Sequence, residues 1–256
     1  ENSYKKVLVC RDMRLSSDAL RDAFVKGATD SGAEVVDIGL FHSPGLYFAS
    51  GSLDLPGVMI TASHSPKEYN GLKLVRAGAI PLTETDGLRL IRKRIERGVF
   101  TDAIQPGKVT KKDVQKAWQR YILKEVGAKT FAGLHILADA GSGMAATFLP
   151  LVKEKLAADI DVLFPELDGT FPSRASDPTL KKNQAQIQKQ LKATHTYDFG
   201  ISFDGDADRI AFFDEKGIYI NSAAIGALVA QHLLKTHPQA KLGYTVLTSR
   251  AYQEVI

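Results

Sequence analysis

The chain has 256 residues, 44% of them apolar and 24% charged, so it can bury a substantial core and its composition gives no sign of disorder. A length prior of roughly 100 to 200 residues per domain points to two domains. The net charge of +4 is modest, and the lysines and arginines are dispersed without interleaved aromatics, which argues against nucleic-acid binding and leaves small anionic substrates open.

Short β-branched runs alternate with helical patterns, and each run tends to end in Gly, Asp, Ser or Thr, which predicts an α/β fold. A strand over 6–10 leads through a polar turn to a helix over about 18–31, capped by Ser16 or Ser17 and closed by Gly32; a second strand covers 34–38. Strands over 57–61 and 72–75 flank the polar loop 62–71, and a basic helix runs from Thr83 to about Arg97, with Gly98 ending it. Residues 101–108, with Pro106 and Gly107, read as an interdomain linker. Val114, Ala117, Trp118, Tyr121, Ile122 and Val126 then follow helical spacing, after a start in which Thr110 and Asp113 form a capping-box-like pair.

A second α/β unit follows, with a strand over 135–138, a helix over 141–156, a strand over 162–164, and a helix from Asp177 and Pro178 to about Lys192. Strands over 199–203 and 210–213 enclose an acidic loop. After the turn 215–217, Ser222 caps a helix, and a strand over 242–247 heads toward Ser249. These last pieces do not make a domain, so a third domain is expected to be cut short.

The longest mainly apolar stretch, 223–234, is broken by Gln231 and His232 and falls short of the ~20 residues a bilayer span needs, so no membrane partner is expected. No signal peptide is visible, and the single cysteine, Cys10, has apolar flanks and no internal disulfide partner. A cytoplasmic location is the resulting expectation.

Two loops carry most of the chemistry. Thr61, Ala62, Ser63, His64, Ser65, Pro66, Lys67, Glu68, Tyr69, Asn70 and Gly71 put a hydroxyl beside an imidazole at a strand end, where ligands bind in open α/β sheets. Serine needs a base, a cation or a metal to act as a nucleophile. His64 and Lys73 are the candidates, although neighbours on an extended chain point in opposite directions. A Ser-His pair alone also fits a solvated turn. Asp204, Gly205, Asp206, Ala207, Asp208 and Arg209 place three carboxylates at alternate positions after an apolar strand, and three hard oxygen donors suit magnesium or calcium rather than zinc.

An EF-hand, suggested by Glu215 at the twelfth position, fails because Arg209 stands where glycine is needed and strands flank the loop. An Asp-x-Asp after a strand also fits a haloacid-dehalogenase-type phosphatase with Asp204 as nucleophile, although Asp208 stands where that motif carries Thr; a solvated acidic turn fits as well. Gly141, Ser142, Gly143 and Ala146 imitate a dinucleotide fingerprint, but the acidic residue at the required spacing, Asp161, precedes its strand instead of ending it.

Taken whole, the serine loop resembles that of the α-D-phosphohexomutases, Thr-Ala/Gly-Ser-His-Asn-Pro, with Ser65 in place of the usual Asn. Its continuation to Lys73 looks like the phosphomannomutase/phosphoglucomutase branch. The string from Asp204 to Arg209 resembles the same family's metal loop, Asp-Gly-Asp-Gly/Ala-Asp-Arg. Arg11, Asp12 and Arg14 resemble a Gly-Arg-Asp-x-Arg stretch, with Cys10 in the glycine position, and read as an ion-pair network below the site. The segment with His42, Ser43, Pro44, Leu46, Tyr47 and Phe48, and the stretch 168–178, resemble two further family segments to which no catalytic role is assigned.

The resemblance implies successive three-layer α/β/α domains with mixed sheets, truncated before completion of a third: domain one over 1–108 with the phosphoserine loop, domain two over 109–220 with the metal loop, and the start of domain three over 221–256. It implies a mutase interconverting hexose 1-phosphate and hexose 6-phosphate, for mannose or glucose. Phosphoserine at Ser63 would pass its phosphoryl group to the hexose phosphate through a hexose 1,6-bisphosphate, with Mg2+ held by Ser63, Asp204, Asp206 and Asp208. Lys73 is the candidate for an acid/base or electrostatic role, with His64 in support and Arg209 toward substrate phosphate. The chain alone is expected to be phosphorylatable and metal-binding but weak or inactive in complete turnover. A non-catalytic sugar-phosphate binding module is the alternative from another class.

Overall fold

Short apolar runs build two mixed sheets in the chain, whose structure, a computed structural model, describes residues 4–98, 100, 102–127, 130–246 and 248–256. The first sheet contains β1 (Lys6–Arg11), β2 (Glu34–Leu40), β3 (Gly57–Ile60), β4 (Leu72–Arg76), β5 (Ile80–Pro81) and β6 (Val109–Lys111), in the order β5-β4-β3-β1-β2-β6. Strands β3, β1, β2 and β6 run parallel, whereas β4 and β5 pair antiparallel. Around it lie α1 (Ser17–Asp30), α2 (Ser43–Leu53) and α4 (Gln115–Val126), while α3 (Arg89–Arg97) buries no residue. Because side chains alternate across a strand, Leu8, Cys10, Val36, Ile38 and Met59 meet Leu46 of α2 and Trp118 of α4. Val9, Val35, Val58 and Ile60 meet Leu20 and Phe24 of α1 on the other face.

The second sheet contains β7 (His135–Asp139), β8 (Asp159–Leu163), β9 (Phe199–Phe203), β10 (Ile210–Asp214) and β11 (Tyr219–Ile220), in the order β11-β10-β9-β7-β8. Its β9, β7 and β8 are parallel and the rest antiparallel. Leu149 of α5 (Leu149–Leu156) packs against Ile136, Ala138, Ile160 and Ile201, while Ile187 and Leu191 of α6 (Lys181–Thr194) pack against Leu137 and Phe213. Each half is therefore a three-layer α/β/α unit with a mixed sheet. Phe148 packs against the cores of both halves, and α7 (Ser222–Thr236) and α8 (Ala251–Val255) follow the second sheet. Among the described residues, no helix is long and apolar enough to cross a membrane.

Several elements depart from expectation for local reasons. Helix α2 was not anticipated: its two glycines and three serines dilute the apolar pattern, and it is fixed by Pro44 in its first turn and by the His42 side chain, which accepts the Gly45 N–H. Gly45 is required there, since a Cβ would lie 1.9 Å from the Phe41 ring. The helix expected from Thr83 starts only at Arg89, because Gly87 takes a φ of 137° and interrupts it. Strand β6 pairs with β2, so the first sheet runs past the expected boundary after Lys108. The expected linker is pinned to α1: the Ala103 N–H bonds Asp30 O at 2.7 Å and the Gly107 N–H bonds Thr29 O at 2.8 Å. Thr101 of that stretch lies outside the described residues.

Thr110 belongs to β6, leaving Asp113 alone to accept the Gln115 N–H. The helix expected over 141–156 divides into a 3-10 turn at Met144–Thr147 and α5. Strand β8 lies earlier than 162–164 and ends where Phe164 adopts a φ of 54°. Asp177 ties a turn through Thr179, so α6 begins at Lys181, and Asn221 rather than Ser222 caps α7. Residues 242–246 form no strand, and Leu247 lies outside the described residues.

At the junction of the halves, His42 is 1% exposed and its ring centroid lies 4.4 Å from Phe41, 4.3 Å from Trp118 and 5.3 Å from Phe148. Its Nδ1 accepts the Gly45 N–H, while Nε2 is buried without a hydrogen-bond partner. Burial lowers its pKa to about 4, against the opposing pull of Asp206. As pH falls from about 6.5 toward 4 the unfolded chain takes up a proton that the folded chain refuses, so stability falls by about 3 kcal/mol across that window and is unaffected above it. His42→Asn, which keeps a capping acceptor, should remove this slope from denaturant unfolding measured between pH 7 and 4.5. An unchanged slope would show that His42 is not its source.

Candidate active site

Strand β3 delivers the chain into the serine loop. Thr61 donates from Oγ1 to Asp12 Oδ2 at 2.7 Å and accepts the Ser63 N–H at 2.9 Å. Ser63 is buried and has a φ of 50°, a left-handed conformation that a non-glycine residue holds only when its surroundings enforce it. Arg14 supplies that enforcement. Its guanidinium, from a fully buried side chain, donates to Ser63 O and Ser65 O through Nη2 (both 2.8 Å), and to Pro66 O (2.8 Å) and Tyr69 O (3.0 Å) through Nη1. Arg14 Nε lies 3.3 Å from Asp12 Oδ2 but makes no aligned hydrogen bond. Asp12 also accepts from Ser17 Oγ at 2.6 Å, and burial still holds its pKa above the usual carboxylate value. Asp12 and Arg14 thus form the network below the loop, whereas Arg11 turns outward to Asp18 at 2.6 Å.

Strand β9 delivers the acidic loop. Arg174 anchors its end, donating to Asp139 Oδ2 (2.6 Å), Ser202 Oγ (3.0 Å) and Phe203 O (2.8 Å). Asp204 Oδ1 accepts the backbone N–H groups of Asp208 and Arg209. The two loops then meet: Ser63 Oγ donates to Asp204 Oδ2 at 2.6 Å. Gly205 permits the close approach, since a Cβ there would lie 2.8 Å from Ser63 O and 2.6 Å from Ser176 Oγ.

Lys73 Nζ lies 2.6 Å from Asp206 Oδ2 and 2.5 Å from Asp208 Oδ2, and Ser43 Oγ donates to the same Asp206 oxygen. His64 Nδ1 is 3.4 Å from Ser63 Oγ, at the limit of a hydrogen bond. Arg209 is exposed, and among the described residues its side chain makes no ion pair. The structure therefore brings together Ser63, Lys73, Asp204, Asp206 and Asp208, sets His64 at their edge, and leaves the Arg209 side chain in solvent. Ser43, Arg174 and Ser176 escaped sequence reasoning. Ser43 lay in one family-like segment and Arg174 and Ser176 in the other, the stretch 168–178, and no role was read from either.

One oxygen from each of Asp204, Asp206 and Asp208 can lie within 4.8 Å of the others, and Asp206 Oδ1 is buried without a hydrogen-bond partner. Burial, then the charge of Asp206, pushes Asp204 up to about 7. Burial acts most strongly and would raise Asp206, but the charge of Lys73 and the hydrogen bonds from Lys73 and Ser43 together hold that carboxyl below its ordinary value. Lys73 is pushed up to about 12, since the attraction of Asp206 and Asp208 exceeds the desolvation that would lower it. Three hard donors, one with an orphaned buried oxygen, fit a divalent cation of the magnesium type.

The dinucleotide reading does not survive. A Cβ on Gly141 would lie 2.5 Å from the Arg174 guanidinium and one on Gly143 would lie 3.0 Å from Gly205 O, so protein fills the space a pyrophosphate needs. Asp161 sits inside β8 and accepts from Tyr197 Oη at 2.8 Å. A cavity of about 490 Å3 beside α7 and α8, lined by Tyr219, Asn221, Tyr244 and Tyr252 among others, shares no residue with the site and carries no carboxylate, imidazole or ammonium group.

Comparison with known proteins agrees with this geometry. Residues 1–102 match phosphoglucomutase/phosphomannomutase alpha/beta/alpha domain I, and residues 116–217 match alpha/beta/alpha domain II. The chain belongs to the phosphoglucomutase/phosphomannomutase family. Within the family, it is 35% identical over 246 residues to the phosphomannomutase of Salmonella typhimurium, covering 93% of this chain and 54% of that protein. It is 33% identical over 251 residues to the phosphoglucomutase of Neisseria gonorrhoeae, covering 98% and 54%. The crystal structure of a phosphoglucomutase/phosphomannomutase family protein from Burkholderia thailandensis superposes with a TM-score of 0.88 at 30% identity, covering 98% of this chain and 55% of that one. The chain thus spans about half the length of the relatives it matches.

Removing the Arg14 fork takes one donor from each of four loop carbonyls and the facing positive charge from buried Asp12. Arg14→Met should cost ~3–5 kcal/mol in denaturant unfolding and make 62–71 the first site of proteolysis. Wild-type stability in that variant would show that the loop holds itself.

Proposed function

We propose that this chain carries the phosphoserine and metal half of a hexose-phosphate mutase, with Ser63 as the group that is phosphorylated. The observation that carries the reading is the 2.6 Å contact between Ser63 Oγ and Asp204, which aims the hydroxyl at a carboxylate cluster suited to a divalent cation. The phosphoryl group on Ser63 Oγ passes to the free hydroxyl of a hexose monophosphate. The P–O bond to serine breaks as the P–O bond to the sugar forms, giving a hexose 1,6-bisphosphate. The reverse transfer, from the other end of the sugar, restores phosphoserine and releases the isomeric monophosphate. Mannose and glucose phosphates are the candidate substrates.

Asp204, Asp206 and Asp208, with an oxygen on Ser63, are the residues that would hold Mg2+. Bound there, the ion supplies Lewis-acid neutralisation of charge on the transferring group. Lys73, a cation beside Asp206 and Asp208, takes an electrostatic role rather than that of a base. His64 stands next to the hydroxyl, and the solvent-facing Arg209 is free to reach substrate phosphate. Domain one is taken to extend through β6, which completes its sheet; domain two runs on to about residue 220, and the segment from α7 opens a third. The fully buried Cys10 suits a reducing compartment such as the cytoplasm.

A phosphatase reading with Asp204 as nucleophile is disfavoured because both its carboxylate oxygens are engaged, one by Ser63 and the other by two backbone N–H groups. Incubation with glucose 1,6-bisphosphate labelled in its phosphates, followed by peptide mapping, separates the readings. Label on Ser63, abolished by Ser63→Ala, is the expected result. Label on Asp204 would favour the phosphatase, and no label a sugar-phosphate binding module. Chelation of Mg2+ should stop the labelling, and Asp206→Asn should raise the Mg2+ concentration for half-maximal labelling by ~10-fold or more.

A further inference from the structure

We propose that Ser176 is the positioning residue that fixes the serine loop against the acidic loop. Its side chain is buried, at 1% exposure, and its hydroxyl makes two bonds at once: it donates to Ser63 O at 2.7 Å and accepts the Gly205 N–H at 2.8 Å. A hydroxyl can do both because it carries one donor and two acceptor sites. Both bonds go to backbone atoms, one in each loop, so a single side-chain atom bridges chain segments 142 positions apart.

The arrangement is well suited to a residue whose side chain reacts. The other direct link between Ser63 and the acidic loop is its own Oγ bond to Asp204, and that oxygen is the one committed to phosphorus in the proposed chemistry. A link through the Ser63 carbonyl remains available whatever Oγ carries. The same carbonyl also accepts from Arg14 Nη2 at 2.8 Å, so its two lone pairs are divided between a cation of the first half and a hydroxyl of the second. Ser176 is itself held in place from two residues away, where Arg174 is tied to Asp139 and Phe203. Gly205 completes the fit, because any Cβ at that position would displace the Ser176 hydroxyl.

The consequence for labelling rests on the phosphoryl-transfer reading, whereas the link between the loops does not. The test uses the full chain in three forms: wild type, Ser176→Ala and, as a control, Ser173→Ala. Ser173 lies on the same loop and its hydroxyl is buried without a hydrogen-bond partner, so its loss should leave the loops in place. Amide hydrogen exchange at Gly205 is followed without metal, and labelling of Ser63 by glucose 1,6-bisphosphate with Mg2+. Ser176→Ala should speed Gly205 exchange by ~5–10-fold, the loss of one buried hydrogen bond. It should slow Ser63 labelling by ~10–100-fold, the effect of a displaced reacting group. Ser173→Ala should match wild type in both, and Ser176→Thr, which keeps the hydroxyl, should recover exchange protection and labelling together. Wild-type exchange in Ser176→Ala, or an equal effect in Ser173→Ala, would overturn the assignment. If the wild-type chain takes no label, the phosphoryl-transfer reading fails, and Gly205 exchange still decides whether Ser176 joins the loops.

Discussion

Ser63 and Asp204 are separated by 141 positions and joined by a hydrogen bond of 2.6 Å, and most of the surrounding architecture serves to keep that contact in register. Each partner follows a strand of its own sheet, β3 for the serine and β9 for the aspartate, so each sheet supplies one side of the site. Strand ends alone would leave two mobile turns. Arg14 converts the first into a fixed loop by gathering four carbonyls onto one planar fork, a geometry lysine cannot reproduce. Arg174 does the corresponding work at the end of β9. The left-handed backbone at Ser63 is thus imposed from below and maintained where the chemistry is proposed to occur.

The electrostatics of the site follow from burying Asp204 and Asp206 beside one another. Two desolvated carboxylates at this distance cannot both be comfortably charged, and the outcome divides between them: Asp206 stays ionised because Lys73 faces it, while Asp204 is displaced toward about 7. Lys73 offsets only part of the negative charge, and Asp206 Oδ1 still lacks a partner. Asp208 adds a third carboxylate to this pair, and a bound cation would offset the charge that Lys73 leaves.

The features legible in the sequence were those written in contiguous residues. The apolar runs of β1, β3, β7 and β9 announced the sheets, and the serine and acidic strings announced the site, because their chemistry lies within a few positions. What escaped depends on partners far away in the chain. Strand β6 is exposed along its whole length and offers no apolar pattern, only a backbone that pairs with β2. Helix α2 hides behind its glycines and serines. Ser176 acts on backbone atoms and Arg174 on partners far away in the chain, so the family-like stretch that carries them shows no role by itself. Helix starts were displaced where Asp113 and Asp177 spend their carboxylates on local turns before the helix begins.

In the proposed site, the serine and the three aspartates share one ion between both halves of the molecule. The most direct measurement is anomalous diffraction from crystals of the chain soaked in Mn2+, a scattering substitute for Mg2+. A single strong peak is expected, enclosed by Asp204, Asp206 and Asp208 with Ser63 adjoining it. A peak elsewhere on the surface with none at the aspartates, or one at the aspartates with Ser63 turned away from it, would contradict the account.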